Sequence, residues 1–541
     1  MPDLLIRNGT VIDGTGNPGY RADIAVTDGT IVKVAPQITG GAARVIDAAG
    51  LTVTPGFIDT HSHYDFIALL PCDCALLLEQ GITTQLTGNC GDSLAPYPAS
   101  VIDPQIPPYL SEQQVQALRE ACRDPGTFMA HAAGQTYGVN TAFLVGHNSL
   151  RLHAVGPGSA EATPAQLGEM KDMVRLAMES GMFGFSSGLA YAPSCYANTE
   201  ELAELAGAAA RYGGIYASHI RDEGDRVFDA VSEAIEIGER SGASVLISHI
   251  KIMGDANRGK AARVLELIRK ARERGLNVFA DQYPYEAASA PLLAQIPPKY
   301  LARGREDALR LIADPVARRQ IEHSIFEETE DFKSCLAFAG YGGSVIAEAA
   351  KTPRYVGLSL ADAAQTEGRE PVDLMMDLLI ENGGEVRCIF FTQYMDDILA
   401  FLASPFVFTG DDWAVLGSRP DPETRGGAHP RATAAFVRKL ELARDRAALT
   451  PEACIYRMTG GPAQALGLAG RGFIREGYAA DLCVLAYDSV HAESDYRHPF
   501  RPNRGIRYVI VNGGVAVENG RCTGSRYGKA ILKDIQRKEQ P

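Results

Sequence analysis

Eight short apolar runs in the middle of the chain each end in a polar residue, and helix-patterned segments separate them. The runs close near His63, Cys90, His147, Ser187, His219, His249, Tyr283 and Asp411. The spacers include Thr199-Glu-Glu-Leu-Ala-Glu-Leu-Ala-Gly-Ala-Ala-Ala and Arg226-Val-Phe-Asp-Ala-Val-Ser-Glu-Ala-Ile-Glu-Ile-Gly, whose apolar residues recur at helical spacing. Parallel strands need a crossover connection, so this alternation implies a parallel sheet of α/β class. Eight units predict a (β/α)8 TIM-like barrel, whose chemistry gathers at the C-terminal strand ends. Arg387-Cys-Ile-Phe-Phe-Thr is a ninth strand candidate, and the stretch from Tyr283 to Asp411 is too long for one unit. Residues 287–345 are therefore expected to form an insertion over the barrel mouth.

The two ends of the chain have a different texture. Ala22-Asp-Ile-Ala-Val-Thr-Asp-Gly-Thr-Ile-Val-Lys-Val places two apolar runs around Asp28-Gly29, which predicts a hairpin. Gly477-Tyr-Ala-Ala-Asp-Leu-Cys-Val-Leu and Ile506-Arg-Tyr-Val-Ile-Val-Asn-Gly-Gly are again short strands with glycine turns. Chain termini often lie close together, so residues 1–55 and 470–541 are expected to form one small β-sandwich domain, with the barrel over 56–469. The formal net charge of −14 argues against a nucleic-acid or anionic-membrane partner, though not against a small anionic substrate held in a local cationic pocket. Ten scattered cysteines, of which only Cys72 and Cys74 are close, read as reduced thiols of a cytoplasmic protein. No signal-peptide pattern or bilayer-length apolar run is expected from the sequence. A homo-oligomer is left open.

The strand ends carry metal-binding residue types. His61-Ser-His63 follows the apolar stretch Leu51-Thr-Val-Thr-Pro-Gly-Phe-Ile-Asp-Thr. In an extended chain alternate side chains share a face, so two imidazoles aim at one point. Cys90 ends a β-branched run within Thr87-Gly-Asn-Cys-Gly-Asp. A lone cysteine is usually a small buried hydrophobe, but its thiolate binds zinc well. His219 and His249 each close a strand as Ser-His, a repeat that packing alone does not explain. Asp411 ends Pro405-Phe-Val-Phe-Thr-Gly-Asp, and a helix N-cap is its alternative reading. Four imidazoles, a thiolate and a carboxylate suit one or two Zn²⁺ ions by ligand softness.

With Ser-His249-Ile-Lys251, this set resembles the amidohydrolase superfamily. Thr87-Gly-Asn-Cys-Gly-Asp-Ser-Leu-Ala-Pro, Asp281-Gln-Tyr-Pro-Tyr-Glu-Ala-Ala-Ser, Gly188-Leu-Ala-Tyr-Ala-Pro and His429-Pro-Arg431 are similar to the N-acyl-D-amino-acid deacylase (D-aminoacylase) family. The resemblance implies zinc-dependent hydrolysis of N-acyl-D-amino acids. Cys90, His219 and His249 would hold a tight zinc, and His61, His63 and Asp411 would line a weaker or empty second position. Asp411 would accept a proton from water and return it to the leaving amine. Lys251, Tyr283 and Ser289 would grip the substrate carboxylate, and Tyr191 would line the pocket. His147 fits packing better than ligation, and His429 and Arg431 would brace the last barrel loop.

Two positions depart from the family pattern. Its Ser-Asp-Gly at the last strand is Gly410-Asp411-Asp412 here, which makes Asp412 a rival to Asp411. Its Pro-Gly after the Gly-Leu-x-Tyr motif is Pro193-Ser194. Both border the pocket and bear on acyl or side-chain preference. A cyclic-amide hydrolase or D-dipeptidase on the same barrel is the alternative enzyme, separable by a substrate panel. A metal-free structural homologue is the non-enzymatic alternative, separable by metal analysis.

Overall fold

The computed structural model describes residues 1–70, 72–97, 110–327, 332–413, 420–424, 426–446 and 449–535. Residues 328–331 of the expected insertion and 536–541 of the expected β region lie outside these. Seven strands form one parallel sheet in chain order: Phe57–Asp59, Ile82–Thr87, Asn140–Gly146, Gly184–Gly188, Ile215–His219, Ser244–Ile247 and Val278–Ala280. The segment after Pro405 joins its two edges. Ala280 N–H donates to Phe406 O and Phe408 N–H to Ala280 O on one side, and Thr60 N–H donates to Thr409 O on the other.

The twofold alternation of strand side chains sorts the core. Ile58, Leu86, Leu144, Ala217 and Leu246 meet Phe408 inside the curl. Val145, Phe185, Tyr216, Val245 and Ile247 face outward among the helices. Each fully buried Val, Leu or Ile contributes ~1.5–3 kcal/mol, which explains why these runs are apolar on both faces. The surrounding helices start and stop where capping chemistry dictates. Thr163 forms a capping box with Gln166 before Pro164–Glu179, Asn198 caps Thr199–Ala210, and Gly242 ends Val227–Ser241 in the left-handed conformation. The last helix buries Val227, Val231, Ala234 and Ile235 against the sheet. A charge at Val231 would break that face.

Both chain ends enter one nine-stranded sheet, in which Thr52–Pro55 pairs antiparallel with Leu482–Leu485. Where two sandwiched sheets were expected, hydrogen bonds run unbroken through all nine strands. The sheet forks because Leu4–Val11 pairs Arg44–Asp47 along its first half and Thr52–Pro55 at its second. The Asp28-Gly29 turn forms the expected hairpin, with φ of 48° and 72°. A third, antiparallel sheet joins Ala287–Pro291, Arg387–Phe391 and Ser344–Glu348 over its own core, which includes Leu292, Ile346, Met375 and Cys388. The ninth strand candidate, Arg387–Phe391, thus pairs in this antiparallel sheet and not in the parallel one. The helix Cys335–Ala339 lies against the barrel loops. A Cβ on Gly224 would stand 2.2 Å from the Phe338 ring, so only glycine permits that approach. Among the described residues, no helix is long and apolar enough to cross a membrane.

Candidate metal centre

The strand ends converge on the Cys90 thiol. Its Sγ lies 3.4 Å from His61 Nε2, 3.6 Å from His219 Nδ1 and 3.3 Å from His249 Nε2. The imidazoles themselves are packed ring against ring, with centroids 4.7 Å apart for His61 and His249 and 4.4 Å for His219 and His249. His63 approaches from the rim, its ring 5.3 Å from that of His61.

The segment that follows Thr409 is zipped to the end of the first strand of the parallel sheet. Asp412 N–H donates to His61 O, and His63 N–H donates to Trp413 O. This pairing brings Asp412, not Asp411, to the imidazoles: Asp412 Oδ1 is 3.3 Å from His63 Nε2 and 3.6 Å from His61 Nε2. Asp411, the expected carboxylate, is not among the clustered ligand groups. Its backbone N–H and that of Trp413 tie it to Asp59 and to its own turn, at 3.2 and 3.0 Å. The physical reason is that Asp412 adopts φ of 49°, which breaks the alternation of an extended strand. Cys90 (φ 54°) and His249 (φ 34°) are left-handed as well. Such conformations cost ~1–3 kcal/mol each and persist where surrounding contacts enforce them.

Acidic and basic groups support this cluster from behind. Glu223 Oε1 is 3.0 Å from His249 Nδ1, and Glu223 Oε2 is 3.9 Å from His219 Nε2. Lys251 forms a buried ion pair with Glu223, and its Nζ is 2.7 Å from His249 Nδ1. Burial alone would lower the Lys251 pKa, but the Glu223 charge outweighs it and the net shift is upward. The His249 N–H donates to Asp281 Oδ1 at 2.5 Å, and the same oxygen is 3.5 Å from His61 Nδ1. Arg431 Nη1 is 2.9 Å from Asp412 Oδ2, and its guanidinium lies 4.4 Å from the centroid of the Tyr283 ring. His429 accepts from the Arg431 N–H and donates to Ala287 O at 3.0 Å, a bracing position.

Charge states follow from these contacts. Burial holds His219 and His249 well below the ordinary histidine value, so both offer neutral lone pairs. Burial lifts the Cys90 thiol well above its ordinary value. Burial would also raise Asp412, but the Arg431 charge and the hydrogen bond with His63 prevail, leaving it ionised well below the carboxylate range. Burial pushes Asp59 up to about 8, and burial with the Asp59 charge pushes Asp411 well above the ordinary carboxylate range as well, so this pair retains a proton.

The donor set fits zinc. Tetrahedral zinc with bonds of about 2.3 Å to sulfur and 2.0 Å to nitrogen has sulfur–nitrogen edges of about 3.5 Å. The Cys90 distances of 3.3–3.6 Å match. Three overlapping triads gather within 4.8 Å: Cys90, His219, His249; His61, His63, Cys90; and His61, His249, Asp412. A buried thiol with no cation beside it would stay protonated, so a bound metal would supply the charge that stabilises its thiolate.

The remaining expected residues take these places. Tyr191 stacks edge-on to His219, with centroids 4.7 Å apart. Tyr283 OH accepts from Gln393 Nε2 at 3.4 Å. Ser289 Oγ is buried without a hydrogen-bond partner in this structure. His147 stands apart, bonded to Ser194 and Glu201. Sequence reasoning missed the contacts of Glu223, Asp281 and Arg431 with the cluster. Asp281 and Arg431 lay inside recognisable motifs, but Glu223, four residues past His219, carried no periodic signal.

The sequence profile of the amidohydrolase family matches residues 44–325 and 359–517. D-aminoacylase of Alcaligenes xylosoxydans xylosoxydans is 32% identical over 98% of this chain and 98% of its own. The N-acyl-D-glutamate deacylase of Bordetella bronchiseptica, solved with zinc and a phosphonate mimic of the tetrahedral intermediate, is 32% identical and superposes with a TM-score of 0.79 over 98% of this chain and 99% of its own. A D-aminoacylase studied for its binuclear metal centre, with one-metal activation and second-metal attenuation, is 30% identical with a TM-score of 0.78, covering 99% and 100%.

Proposed function

The chain belongs to the amidohydrolase family and, within it, to the N-acyl-D-amino-acid deacylases, and from that premise we propose that it is a zinc-dependent enzyme hydrolysing the amide bond of N-acyl-D-amino acids to a carboxylate and a free D-amino acid. The observation that carries this reading is the buried Cys90 thiol within 3.6 Å of three imidazole nitrogens, beside an ionised Asp412.

Cys90, His219 and His249 would hold the zinc tightly, and His61, His63 and Asp412 would line a weaker second position. Zinc bound there supplies Lewis acidity, which polarises an amide carbonyl and acidifies water. Asp412 is the base. It is ionised, faces the imidazoles and is oriented by Arg431, so its carboxylate takes the proton of the attacking water and gives it to the departing amine nitrogen. Asp411, tied to Asp59, has a structural role. Arg431 and Lys251 supply positive charge for the substrate carboxylate, while Tyr283 and the unpartnered Ser289 Oγ supply hydrogen bonds. With carboxylate and carbonyl both fixed, side chain and hydrogen at the α-carbon can be placed in only one order.

We read the curled sheet as a (β/α)8 barrel with 406–413 as its eighth strand, 287–391 as the insertion over its mouth, and the forked sheet of both chain ends as the second domain. Ten free cysteines favour a cytoplasmic location. The test is a panel of N-acyl-D- and L-amino acids, hydantoins and dipeptides offered to zinc-loaded protein, with each hydrolysis product separated and quantified by liquid chromatography, since opening a hydantoin ring frees no amine. Turnover restricted to hydantoins or dipeptides would reject the proposal.

A further inference from the structure

Away from the metal cluster, four buried polar side chains form one chain of hydrogen bonds at the barrel rim. His147 Nδ1 is 2.8 Å from Ser194 Oγ, and His147 Nε2 is 2.8 Å from Glu201 Oε1. Arg151 Nη1 donates to both oxygens of Glu201 at 2.7 Å and its Nη2 donates to Ala160 O at 2.6 Å. Ser194, His147 and Arg151 are fully buried. Burial lowers the His147 pKa and so favours the neutral ring. Burial would raise Glu201, but His147 and Arg151 outweigh it and keep it ionised. The directions follow: His147 donates from Nε2 to Glu201 and accepts the Ser194 hydroxyl proton at Nδ1.

The order of groups is that of a serine hydrolase triad, but a fully buried hydroxyl has no route to a substrate. What the relay holds is a loop. The Ser194 N–H donates to Asn148 Oδ1 at 3.0 Å, so consecutive residues His147 and Asn148 grip Ser194 by side chain and backbone. Asn148 Nδ2 in turn donates to Cys90 O at 3.4 Å. Tyr191 lies three residues before Ser194, and its carbonyl accepts from the Cys195 N–H at 2.8 Å. One face of the Tyr191 ring region meets His219. Tyr191 also lines an apolar cavity of about 270 Å³ with Leu152, Ala190, Pro193, Leu293 and Ile296. Tyr283, which serves the amino-acid half of the substrate, follows the edge strand Val278–Ala280, whereas Tyr191 follows Gly184–Gly188, three strands away in the sheet. With the substrate carboxylate on the Tyr283 side, the acyl half is directed to the Tyr191 side.

We propose that Ser194, His147 and Glu201 are positioning residues that clamp the Tyr191 loop to the Cys90 loop, and that the wall they fix sets selectivity for the aliphatic acyl chain entering this cavity. The selectivity part rests on the deacylase reading above; the clamp itself does not. Ser194→Ala removes only the hydroxyl, and His147→Gln is the second variant. Hydrogen exchange of zinc-loaded protein is expected to accelerate about tenfold or more in the peptide 189–197 in both variants, with zinc content unchanged. The ratio of kcat/KM for N-butanoyl- and N-acetyl-D-leucine is expected to change about tenfold, the low end of what loss of a supporting hydrogen-bonded layer does. The double variant should match the single ones, since the relay acts as one unit. Unchanged exchange in 189–197 would overturn the clamp whether or not the protein is a deacylase. Faster exchange with both substrates slowed by one common factor would overturn the selectivity role. A wild-type protein inactive on every N-acyl amino acid would reject the deacylase reading and with it the selectivity role, leaving hydrogen exchange to decide the clamp.

Discussion

Replacing Asp412 by asparagine removes the proton acceptor while keeping its shape. The carboxylate lies 3.3 Å from His63 Nε2, 3.6 Å from His61 Nε2 and 2.9 Å from Arg431, so no other ionised oxygen among the described residues is placed to serve both imidazoles and the guanidinium. An amide has no useful proton affinity, and kcat is expected to fall by about 10²–10⁴, the usual contribution of a general acid–base group. At ~1.36 kcal/mol per tenfold this is about 3–5 kcal/mol of transition-state stabilisation. The same change leaves Arg431 without its buried counter-ion. Breaking such a pair costs up to ~3–5 kcal/mol of stability, less here because the amide oxygen still accepts from the guanidinium. Kinetics are therefore measured on protein whose urea midpoint and zinc content have been determined alongside. Asp411→Asn is the internal control. Its amide N–H can donate to Asp59 in place of the proton the pair retains, and its Oδ1 can still accept from the Trp413 N–H. Its effect on kcat should stay below about tenfold. A larger kcat loss in Asp411→Asn than in Asp412→Asn, with both folded and zinc-loaded, would refute the assignment of the base.

Cys90→Ala should weaken zinc binding by more than the roughly 10–100-fold typical of losing a group that only supports a ligand, measured by chelator competition. Stoichiometric tight zinc in that variant would remove the thiolate from the centre. Ser289→Ala should raise KM for the acylated acid by about 10-fold or more, as expected for a hydrogen bond to a charged group worth ~1.5–3 kcal/mol, with little effect on stability because its Oγ has no protein partner. An unchanged KM would place the substrate carboxylate elsewhere. Burial depresses Lys439 from 10.5 to about 7. Its cost to folding is complete below pH 7, shrinks as pH rises towards 10.5 and vanishes above that. At ~1.36 kcal/mol per pH unit the depression amounts to several kcal/mol, so Lys439→Met should raise the urea midpoint clearly at pH 6 and far less at pH 10. Equal gains at both would show that Lys439 is not held neutral.

What was legible depended on whether local periodicity survives. His61 and His63 could be paired from the sequence because the chain stays extended there and side chains alternate. Cys90, His219 and His249 could be placed because each closes an apolar run. The carboxylate could not be assigned, since a left-handed Asp412 reverses the alternation by one residue, and only the pairing of 412–413 with 61–63 reveals it. Arg387–Phe391 read as a barrel strand candidate but pairs in the separate antiparallel sheet with Ala287–Pro291 and Ser344–Glu348, both distant in sequence, and no local pattern encodes that choice. Glu223 reaches the cluster from a loop and Arg431 from the first turn of the helix Arg431–Asp445, where contacts are set by the fold as a whole. His147 was read as packing and does lie outside the cluster, yet its hydrogen bonds to Ser194 and Glu201 were not foreseeable from its strand-end position.

The most direct test is the ratio of kcat/KM for N-acetyl-D-leucine over N-acetyl-L-leucine, determined on protein carrying one zinc per chain. With the carboxylate held by the Arg431, Tyr283 and Ser289 side of the pocket and the carbonyl by the metal, an L-substrate must put its side chain where the D-substrate has hydrogen. A clash of a few kcal/mol corresponds to at least ~100-fold in rate. The account predicts a D-over-L ratio of that size, and a ratio near unity, or turnover undiminished after zinc is removed, would contradict it.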